Sequence, residues 1–553
     1  MKKLNLLLMV LLVSALVFVA CDSSQKPQET IGETTAEETT AEETTEAHVC
    51  SFGEWKTTKE ATCTEDGEQE RACACGEKET QSLDMIPHTE TIDAAVNPTC
   101  TETGLTEGKH CSVCETVHVA QETGAALGHT EVIDAAVAPT YTTKGKTAGS
   151  HCATCNTIFH KQNNIATIWS GNKIQPTKLV KIDGVYYYEI NSAEELAFLL
   201  TAPEEWAKYN YSLNCDIWLN AEELIFSQEG MLLNPGALNF WDGFICEKFN
   251  GNNHNIKGVY SGKGLIIDCS EVKNLNVLNS YIQGDGRTTI GGICAGADYV
   301  YSCSFNGVVY DPFGSTSAMS LYEHSVGGIV GYLRGKISNC INYGKIINED
   351  TFLNIGGIVG YATWYPATNC INYGDIISSA DYFDPNGHRR GIGGVVGCGK
   401  ANNCYNYGNI TGAGWIGGIV GLLNSETYNC INYGSVLGHT SGYYAGGIAG
   451  YLAGKTINCI NYGMVSGGNY VGGISGYADN QIINCNNVNE VNGISNVGGI
   501  VGFLDIFDDN SSVLSCYYLK NDSINFSLNG IGNLADEIGS CEAKDDAFFN
   551  EDK

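Results

Sequence analysis

The amino-acid sequence predicts a mainly β protein whose C-terminal part is a parallel β-helix, or β-solenoid. Two phrases recur in it with a period that varies from 24 to 37 residues. Gly-Gly-(Ile/Val) begins at Gly291, Gly327, Gly356, Gly393, Gly417, Gly446, Gly472 and Gly498. Asn-Cys-Ile-Asn-Tyr-Gly, or a close variant, stands between them, and no stretch there has helical apolar spacing. One such unit cannot close a core, so neighbouring units must stack.

Stacking in parallel β pairing places equivalent residues about 4.8 Å apart in columns. The sequence therefore predicts one column of cysteines from Cys303 to Cys516 and one of asparagines from Asn342 to Asn461. We interpret both as structural, because inward asparagines can satisfy buried backbone groups and buried cysteines behave as small hydrophobes. A helix over Ala193 to Leu200, after Ser192 as N-cap, is expected within an N-terminal cap.

The phrase Val-Gly-Gly-Ile-Val-Gly resembles the GLUG motif of bacterial surface proteins, and the resemblance covers about residues 180 to 520. It implies a repeat-built surface module. Some proteins of this kind are immunoglobulin A metallopeptidases with a separate zinc protease domain. Because the chain has no His-Glu-x-x-His, that activity does not carry over.

The N-terminus predicts export. Lys2 and Lys3 precede an apolar run that ends in Val-Phe-Val-Ala-Cys21, which is typical of a signal peptide. The ending resembles a bacterial lipobox and implies lipidation of Cys21, which would anchor the chain on the outer face of the cell membrane. An ordinary secretory signal, cut nearby, is the alternative.

Composition limits the partners. The chain of 553 residues has a formal charge of −32 and only five arginines. Nucleic acid is therefore an improbable partner. Residues 21–47, which repeat Thr-Ala-Glu-Glu-Thr, are too polar to fold and predict an extended acidic linker.

Residues 48–160 hold nine of the 24 cysteines and seven of the 11 histidines, in three related repeats. They resemble Cys-rich tandem repeats of extracellular proteins from gut Firmicutes. We take the candidate ligands repeat by repeat: Cys63, Cys73, Cys75 and His88; Cys100, Cys111, Cys114 and His129; Cys152 and Cys155, where Tyr141 replaces the first cysteine.

Two chemistries compete for these thiols. A Cys-x-x-Cys pair with a further Cys and a His can form a closed structural zinc site, and repeats with so few apolar residues need such a staple. Exported cysteines also commonly pair as disulfides. Cys73-Ala-Cys75 and Tyr141 depart from either pattern, and both alternatives stay open.

Candidate binding residues come from side-chain alternation and from long loops. Trp415, Tyr444 and Tyr470 stand two residues before a Gly-Gly, next to an apolar residue, so they form an outward aromatic strip unless a bulge at the glycines turns them inward. The loop residues are Trp364, Tyr382, His388 and Arg389.

These observations predict a non-catalytic, lipid-anchored surface protein that binds extracellular glycan or a surface protein of a host or bacterium. The alternative is a polysaccharide lyase or glycoside hydrolase on a right-handed β-helix, which a cleft lined by Asp with a nearby Lys or Arg would favour. The predicted organisation is a signal peptide (1–20), an anchor and linker (21–47), Cys/His repeats (48–160), a linker and cap (161–230), the solenoid (231–516) and a C-terminal cap with an acidic tail (517–553).

Overall fold

The computed structural model describes residues 51–220, 224–286, 288–312, 324–349, 354–379, 390–441, 444–506, 511–520, 529–533 and 539–550. The chain divides into two compact units, Met1–Leu127 and Gly128–Lys553. In the described part of the chain, no helix is long and apolar enough to cross a membrane.

The described part of the first unit, residues 51–127, consists of small antiparallel sheets with almost no hydrophobic core. Among its described residues, the buried hydrophobic side chains are those of Cys63, Cys73, Cys100 and Cys111. Apolar residues such as Ile92 and Val113 are exposed. The sheets are Lys56–Lys59 with Gly67–Ala72 and Lys78–Leu83, Glu90–Asp93 with Gly108–Cys111 and Val117–Val119, and Gly104–Leu105 with Thr123–Gly124.

The second unit begins with small antiparallel sheets like those of the first unit and continues into the N-terminal cap of the solenoid. Its small sheets are Glu131–Asp134 with Gly149–Cys152 and Ile158–His160, and Gly145–Lys146 with Asn164–Ile165. The predicted helix is present at Ala193–Leu199, where Ser192 Oγ accepts a hydrogen bond from Glu195 N. Such an N-cap satisfies one of the backbone N–H groups that the first turn leaves unpaired.

The rest of the second unit is one continuous sheet of 43 strands from Leu179 to Lys544, in which rung follows rung in parallel pairing. The fold class is thus confirmed as a β-solenoid. Parallel pairing starts at Val185–Ile190 and ends at Gly539–Lys544, so the solenoid extends beyond the predicted bounds of 231 and 516.

A regular rung has five short strands, where the sequence pattern suggested two β-type runs. A bend separates each strand from the next, which lets one rung wrap around the core. The first strand carries the Gly-Gly phrase: Ile290–Gly291, Ser325–Gly327, Asn354–Gly356, Gly391–Gly393, Trp415–Gly417, Tyr444–Gly446, Asn469–Gly472 and Ser495–Leu504. The second is Cys294–Tyr301, Val330–Ser338, Val359–Ala362, Val396–Gly399, Val420–Leu423, Ala449–Leu452 and Ser475–Ala478.

The other strands of the regular rungs are shorter. The third is Ala367–Thr368, Ala401–Asn402, Thr427–Tyr428, Thr456–Ile457, Gln481–Ile483 and Ser512–Leu519. The fourth is Ile341–Asn342, Ile371–Asn372, Tyr405–Asn406, Ile431–Asn432, Ile460–Asn461 and Asn486–Asn487. The fifth is Lys345–Asn348, Ile376–Ser378, Ile410–Gly412, Val436–Gly438, Val465–Ser466 and Val491–Asn492.

The first rungs and the two ends are less regular. Their strands are Leu179–Ile182, Val185–Ile190, Asn210–Leu213, Ile217–Trp218, Phe244–Lys257, Tyr260–Ser261, Ile266–Gln283, Ser304–Asp311, Asn529–Ile531 and Gly539–Lys544. Short helices lie at Glu204–Trp206, Pro235–Ala237 and Asp546–Asn550.

The predicted columns are present in the core. The cysteines from Cys303 to Cys516 are buried. From Cys370 to Cys516, the Sγ of one accepts a hydrogen bond from the backbone N–H of the preceding one, as in Cys404 N to Cys430 Sγ at 3.5 Å. In the asparagine column, Asn432 Nδ2 donates to Asn461 Oδ1 and to Gly434 O, both at 2.8 Å. Each corner thereby supplies buried partners for the polar groups of the next.

The Gly-Gly phrase is explained by contacts within and between rungs. A Cβ on the first glycine, as at Gly417, would lie 1.9 Å from Val420 O of the same rung. A Cβ on the second, Gly418, would lie 2.0 Å from a carbonyl of the next rung and 2.4 Å from Asn432 Cγ. The second glycine therefore makes room for the asparagine column, which is why the two phrases recur together.

Candidate metal centre and aromatic surfaces

Four predicted ligand residues of the first unit meet in one cluster. Cys63, His88, Cys111 and Cys114 bring their ligand atoms within 4.8 Å of one another. Cys63 Sγ lies 3.9 Å from Cys111 Sγ, and Cys114 Sγ lies 3.3 Å from His88 Nδ1. Cys63 and Cys111 are buried.

A tight turn supplies two of the ligands. Cys111 ends the strand Gly108–Cys111, and Glu115 adopts a left-handed φ of 59° that closes the loop back onto it. Backbone N–H groups of Cys114 and Val113 point at the Cys111 sulfur and lower its pKa to about 5. The hydroxyl of Thr116, 3.2 Å from Cys114 Sγ, lowers the pKa of that thiol. These contacts favour the thiolate form of both cysteines, which is the form that binds metals.

The two residues that face this turn have opposite protonation preferences. Its hydrogen bond with Cys114, followed by burial, raises the pKa of Cys63 to about 11. The hydrogen bond to Cys111 raises the pKa of His88. These shifts favour protons on Cys63 and His88, which a cation in the centre would displace.

The donor set fits a small tetrahedral metal ion. With metal–sulfur bonds of about 2.3 Å and metal–nitrogen bonds of about 2.0 Å, a tetrahedron has edges of about 3.8 Å between sulfurs and about 3.5 Å between sulfur and nitrogen. The 3.9 Å and 3.3 Å separations are close to these values. Three thiolates and one imidazole leave no open position, as in structural rather than catalytic zinc sites.

The second unit repeats these contacts. The ligand atoms of His129, Cys152 and Cys155 lie within 4.8 Å of one another, and Cys155 Sγ is 3.4 Å from His129 Nδ1. Thr157 Oγ1 contacts Cys155 Sγ at 3.1 Å, and a backbone N–H at Cys155 lowers the pKa of Cys152 to about 5. In the sequence alignment, the counterpart of Cys63 is Cys100 of the first unit.

Supporting contacts around the ligands also recur. The histidine next to a ligand cysteine bonds to an aspartate of the adjoining strand: His110 Nδ1 to Asp93 and His151 Nδ1 to Asp134, each at 2.9 Å. Such contacts outside the ligand shell fix the positions of the ligands themselves.

The structure corrects the repeat-by-repeat ligand grouping. The first cluster takes Cys63 and His88 from the first repeat but Cys111 and Cys114 from the second. Cys73 and Cys75 do not belong to it. Cys73 is buried and forms an antiparallel β-bridge with Phe52, and Cys75 is exposed. Tyr141, which is 60% exposed, belongs to the last repeat, which no Cys-x-x-Cys follows.

The predicted aromatic strip points out of the core. Trp415, Tyr444 and Tyr470 are half-buried, while the apolar residues that follow them, Ile416, Ala445 and Val471, are buried. The glycines therefore do not turn the aromatic residues inward. The distance between ring centroids is 5.7 Å from Trp415 to Tyr444 and 5.3 Å from Tyr444 to Tyr470.

A second outer column covers part of this strip. Tyr451, Tyr477 and Phe503 stack on one another at 4.9 and 5.2 Å, and Trp415 stacks on Tyr451 at 4.7 Å. Tyr477 donates a hydrogen bond to Asp505 Oδ2 at 2.7 Å. The result is one continuous aromatic patch on the outside of the last rungs.

Of the other predicted binding residues, the structure describes Trp364. Trp364 is 75% exposed on a loop, and Lys336 Nζ lies 5.0 Å from the ring centroid of the adjacent Tyr365. Tyr382, His388 and Arg389, like the lipidation residue Cys21, lie outside the described residues.

Sequence reasoning missed a tyrosine ladder on the outer surface. Its members follow the column asparagines and are Tyr343, Tyr373, Tyr407, Tyr433 and Tyr462. Neighbouring ring centroids are 4.7 to 5.2 Å apart with interplanar angles of 2 to 12°. The first four rings are 41 to 50% exposed. The signal was in the repeated Asn-Tyr-Gly, where an inward Asn makes the next residue face outward.

A groove near the N-terminal rungs was also missed, because its residues come from segments outside the repeated phrases. It has a volume of about 440 Å³. The residues that characterise it are Phe240, Asp242, Tyr260, Lys263, Asp285 and Thr288. It thus combines two aromatic rings with two carboxylates and one ammonium group.

Comparison with known proteins identifies no family. No protein-family model and no curated protein matches the chain. A solved structure described as that of a putative immunoglobulin A1 protease from Bacteroides ovatus is similar to 66% of this chain and 85% of its own, with 18% identity and a TM-score of 0.24.

Proposed function

We propose that this protein is a non-catalytic surface lipoprotein whose solenoid binds an extracellular glycan. The observation that carries the proposal is the exposed tyrosine ladder, which presents the same group on five consecutive rungs. A polymer with repeating units can contact such equivalent, regularly spaced tyrosines one after another. Export and lipidation at Cys21 would place the ladder outside the cell.

The chemistry of the ladder suits an uncharged, hydroxyl-rich polymer. Because neighbouring rings are nearly parallel along the column, they partly cover one another's faces. Ring edges and phenolic hydroxyls are left for the ligand, and each hydroxyl can donate and accept a hydrogen bond. The aromatic patch of Trp415, Tyr444 and Tyr470 offers more apolar contact area on neighbouring strands. A net charge of −32 disfavours an anionic polymer.

Glycan and host-protein arrays probed with the full mature chain test the proposal. We expect binding to a neutral glycan that rises with its length and weakens at least about tenfold when Tyr407 and Tyr433 are both replaced by Ala, because two adjacent contacts are lost. Tyr428→Ala is the matched control: Tyr428 is 38% exposed against 41% for Tyr433, on the same rung. Binding to proteins alone, or equal binding by all variants, would contradict the proposal.

In the Cys/His repeats, we propose zinc as the metal. A closed set of three thiolates and one imidazole matches the ligand preference of zinc. The bound ion would neutralise the thiolates and hold four side chains together. The staple would support a segment that lacks an apolar core.

The groove favours a second candidate, a polysaccharide lyase or glycoside hydrolase. Asp242, Asp285 and Lys263 line it together with Phe240 and Tyr260, and carboxylates beside aromatic rings are common in sites that cleave glycans. Incubation of the array glycans with the chain, followed by product analysis, tests this function. Cleavage that Asp242→Asn abolishes and Tyr433→Ala does not change would establish the enzyme and reject a purely binding role.

A further inference from the structure

The first metal cluster is built across a repeat boundary. Cys63 and His88 come from one repeat, and Cys111 and Cys114 from the next. The strand pairing explains this: Glu90–Asp93, just after His88, pairs antiparallel with Gly108–Cys111, with Glu90 opposite Cys111. The chain thus carries the histidine of one repeat to the Cys-x-x-Cys of the next.

Few apolar contacts hold the described part of these repeats together. The described part of the first unit buries no hydrophobic side chain other than cysteines, whereas domains this small normally need a metal or disulfides to fold. The two most deeply placed thiols of the cluster, Cys63 and Cys111, lie on opposite sides of the boundary and are 3.9 Å apart. An ion bound between them would therefore be a large part of the contact between the repeats.

We propose that one zinc ion binds at each junction between consecutive Cys/His repeats and that it, rather than an ion within each repeat, joins them. This inference rests on zinc being the metal, as proposed above. Three repeats have two junctions, so the chain binds two ions. The ligands of the second junction are Cys100, His129, Cys152 and Cys155, by sequence equivalence with the first.

The junction arrangement accounts for both irregularities of the repeats. Tyr141 stands where a first cysteine is expected, but its repeat is the last and has no following Cys-x-x-Cys to join. Cys73-Ala-Cys75 departs from Cys-x-x-Cys in the first repeat, which has no preceding repeat of the same kind. A metal site within each repeat would require ligands at both positions.

The decisive experiment counts bound zinc in the mature chain after dialysis against a weak chelator. We expect two ions per chain, and one ion in Cys63→Ser and in Cys111→Ser. The double variant separates the two arrangements. Cys63 and Cys111 hold the same ion at a junction, so the double variant keeps one; sites within repeats would lose two different ions.

Two further measurements complete the test. Cys73→Ser is the matched control and keeps two ions, whereas a site within the first repeat would lose one. Counting thiols in denaturant, before and after chelation, shows whether any were oxidised. A chain that never binds zinc would reject the zinc proposal itself, while a double variant without zinc would reject only the junction.

Discussion

The buried cysteine column allows a quantitative test of the solenoid. Cys430 is fully buried, and its thiol donates to Ala401 O at 3.4 Å and accepts from Cys404 N at 3.5 Å. In Cys430→Asp, the carboxyl must stay neutral, because no described cation contacts this position. Protonating a carboxyl of ordinary pKa about 3.9 at pH 7 costs about 4 kcal/mol, at about 1.4 kcal/mol per pKa unit.

The sign of the pH dependence follows from this pKa. A carboxyl whose pKa is raised in the folded protein destabilises it above the unfolded pKa of about 4, and the penalty fades as the pH falls toward that value. We therefore expect Cys430→Asp to unfold much more easily than wild type at pH 7, with most of the difference recovered near pH 4.5. Denaturant unfolding followed by circular dichroism measures both. Tyr428→Asp, at an exposed position of the same rung, is the control. Unchanged stability of Cys430→Asp at pH 7 would refute the buried column.

Three other predictions concern the corner contacts and the metal. Gly418→Ala should lower the unfolding temperature by several degrees, because its Cβ would meet a backbone oxygen at 2.0 Å, whereas Gly236→Ala, with nothing within 4 Å of its Cβ, should leave it nearly unchanged. Asn432→Ala should cost about 2 to 3 kcal/mol in denaturant unfolding, since it leaves buried partners at Asn406 and Asn461 unsatisfied; equal stability would contradict the asparagine ladder. Acidification should release the bound zinc before the solenoid unfolds, because protons compete for the thiolates. A metal indicator follows zinc release and circular dichroism follows unfolding. Simultaneous zinc release and unfolding would be evidence against independent stabilisation of the repeats and the solenoid.

The fold was predictable because the same structural requirements recur in successive rungs of the solenoid. The glycine pair recurs eight times, and six of these rungs also have the corner asparagine, so many copies of one pattern indicate one structure. The variable loops were not predictable, since each occurs once. The number of strands per rung also escaped prediction, because two-residue strands such as Ile431–Asn432 are too short to show alternation.

The same repetition concealed the tyrosine ladder. The repeated phrase was interpreted as structural because of its cysteine and asparagine, such as Cys430 and Asn432, which are both fully buried. Tyr433 lies between an inward Asn and a glycine, and alternation alone directs it outward. The repeated phrase therefore forms two sets of columns. The inner cysteines and asparagines stabilise the rungs, and the outer tyrosines face any ligand.

The metal cluster shows why ligand sets resist sequence reasoning even when every ligand is identified. Alignment of the repeats places a boundary after His88, because the phrases on either side match. Glu90 and Cys111 both lie after that boundary, and their antiparallel pairing brings His88 of the preceding repeat to the Cys-x-x-Cys of the following one. Glu131 pairs with Cys152 in the same way in the second unit. In both cases the ligand histidine stands two residues before the paired glutamate. Sequence similarity thus defines what is repeated, whereas strand pairing decides which residues share a site. Metal binding depends only on which ligand atoms the strand pairing brings together.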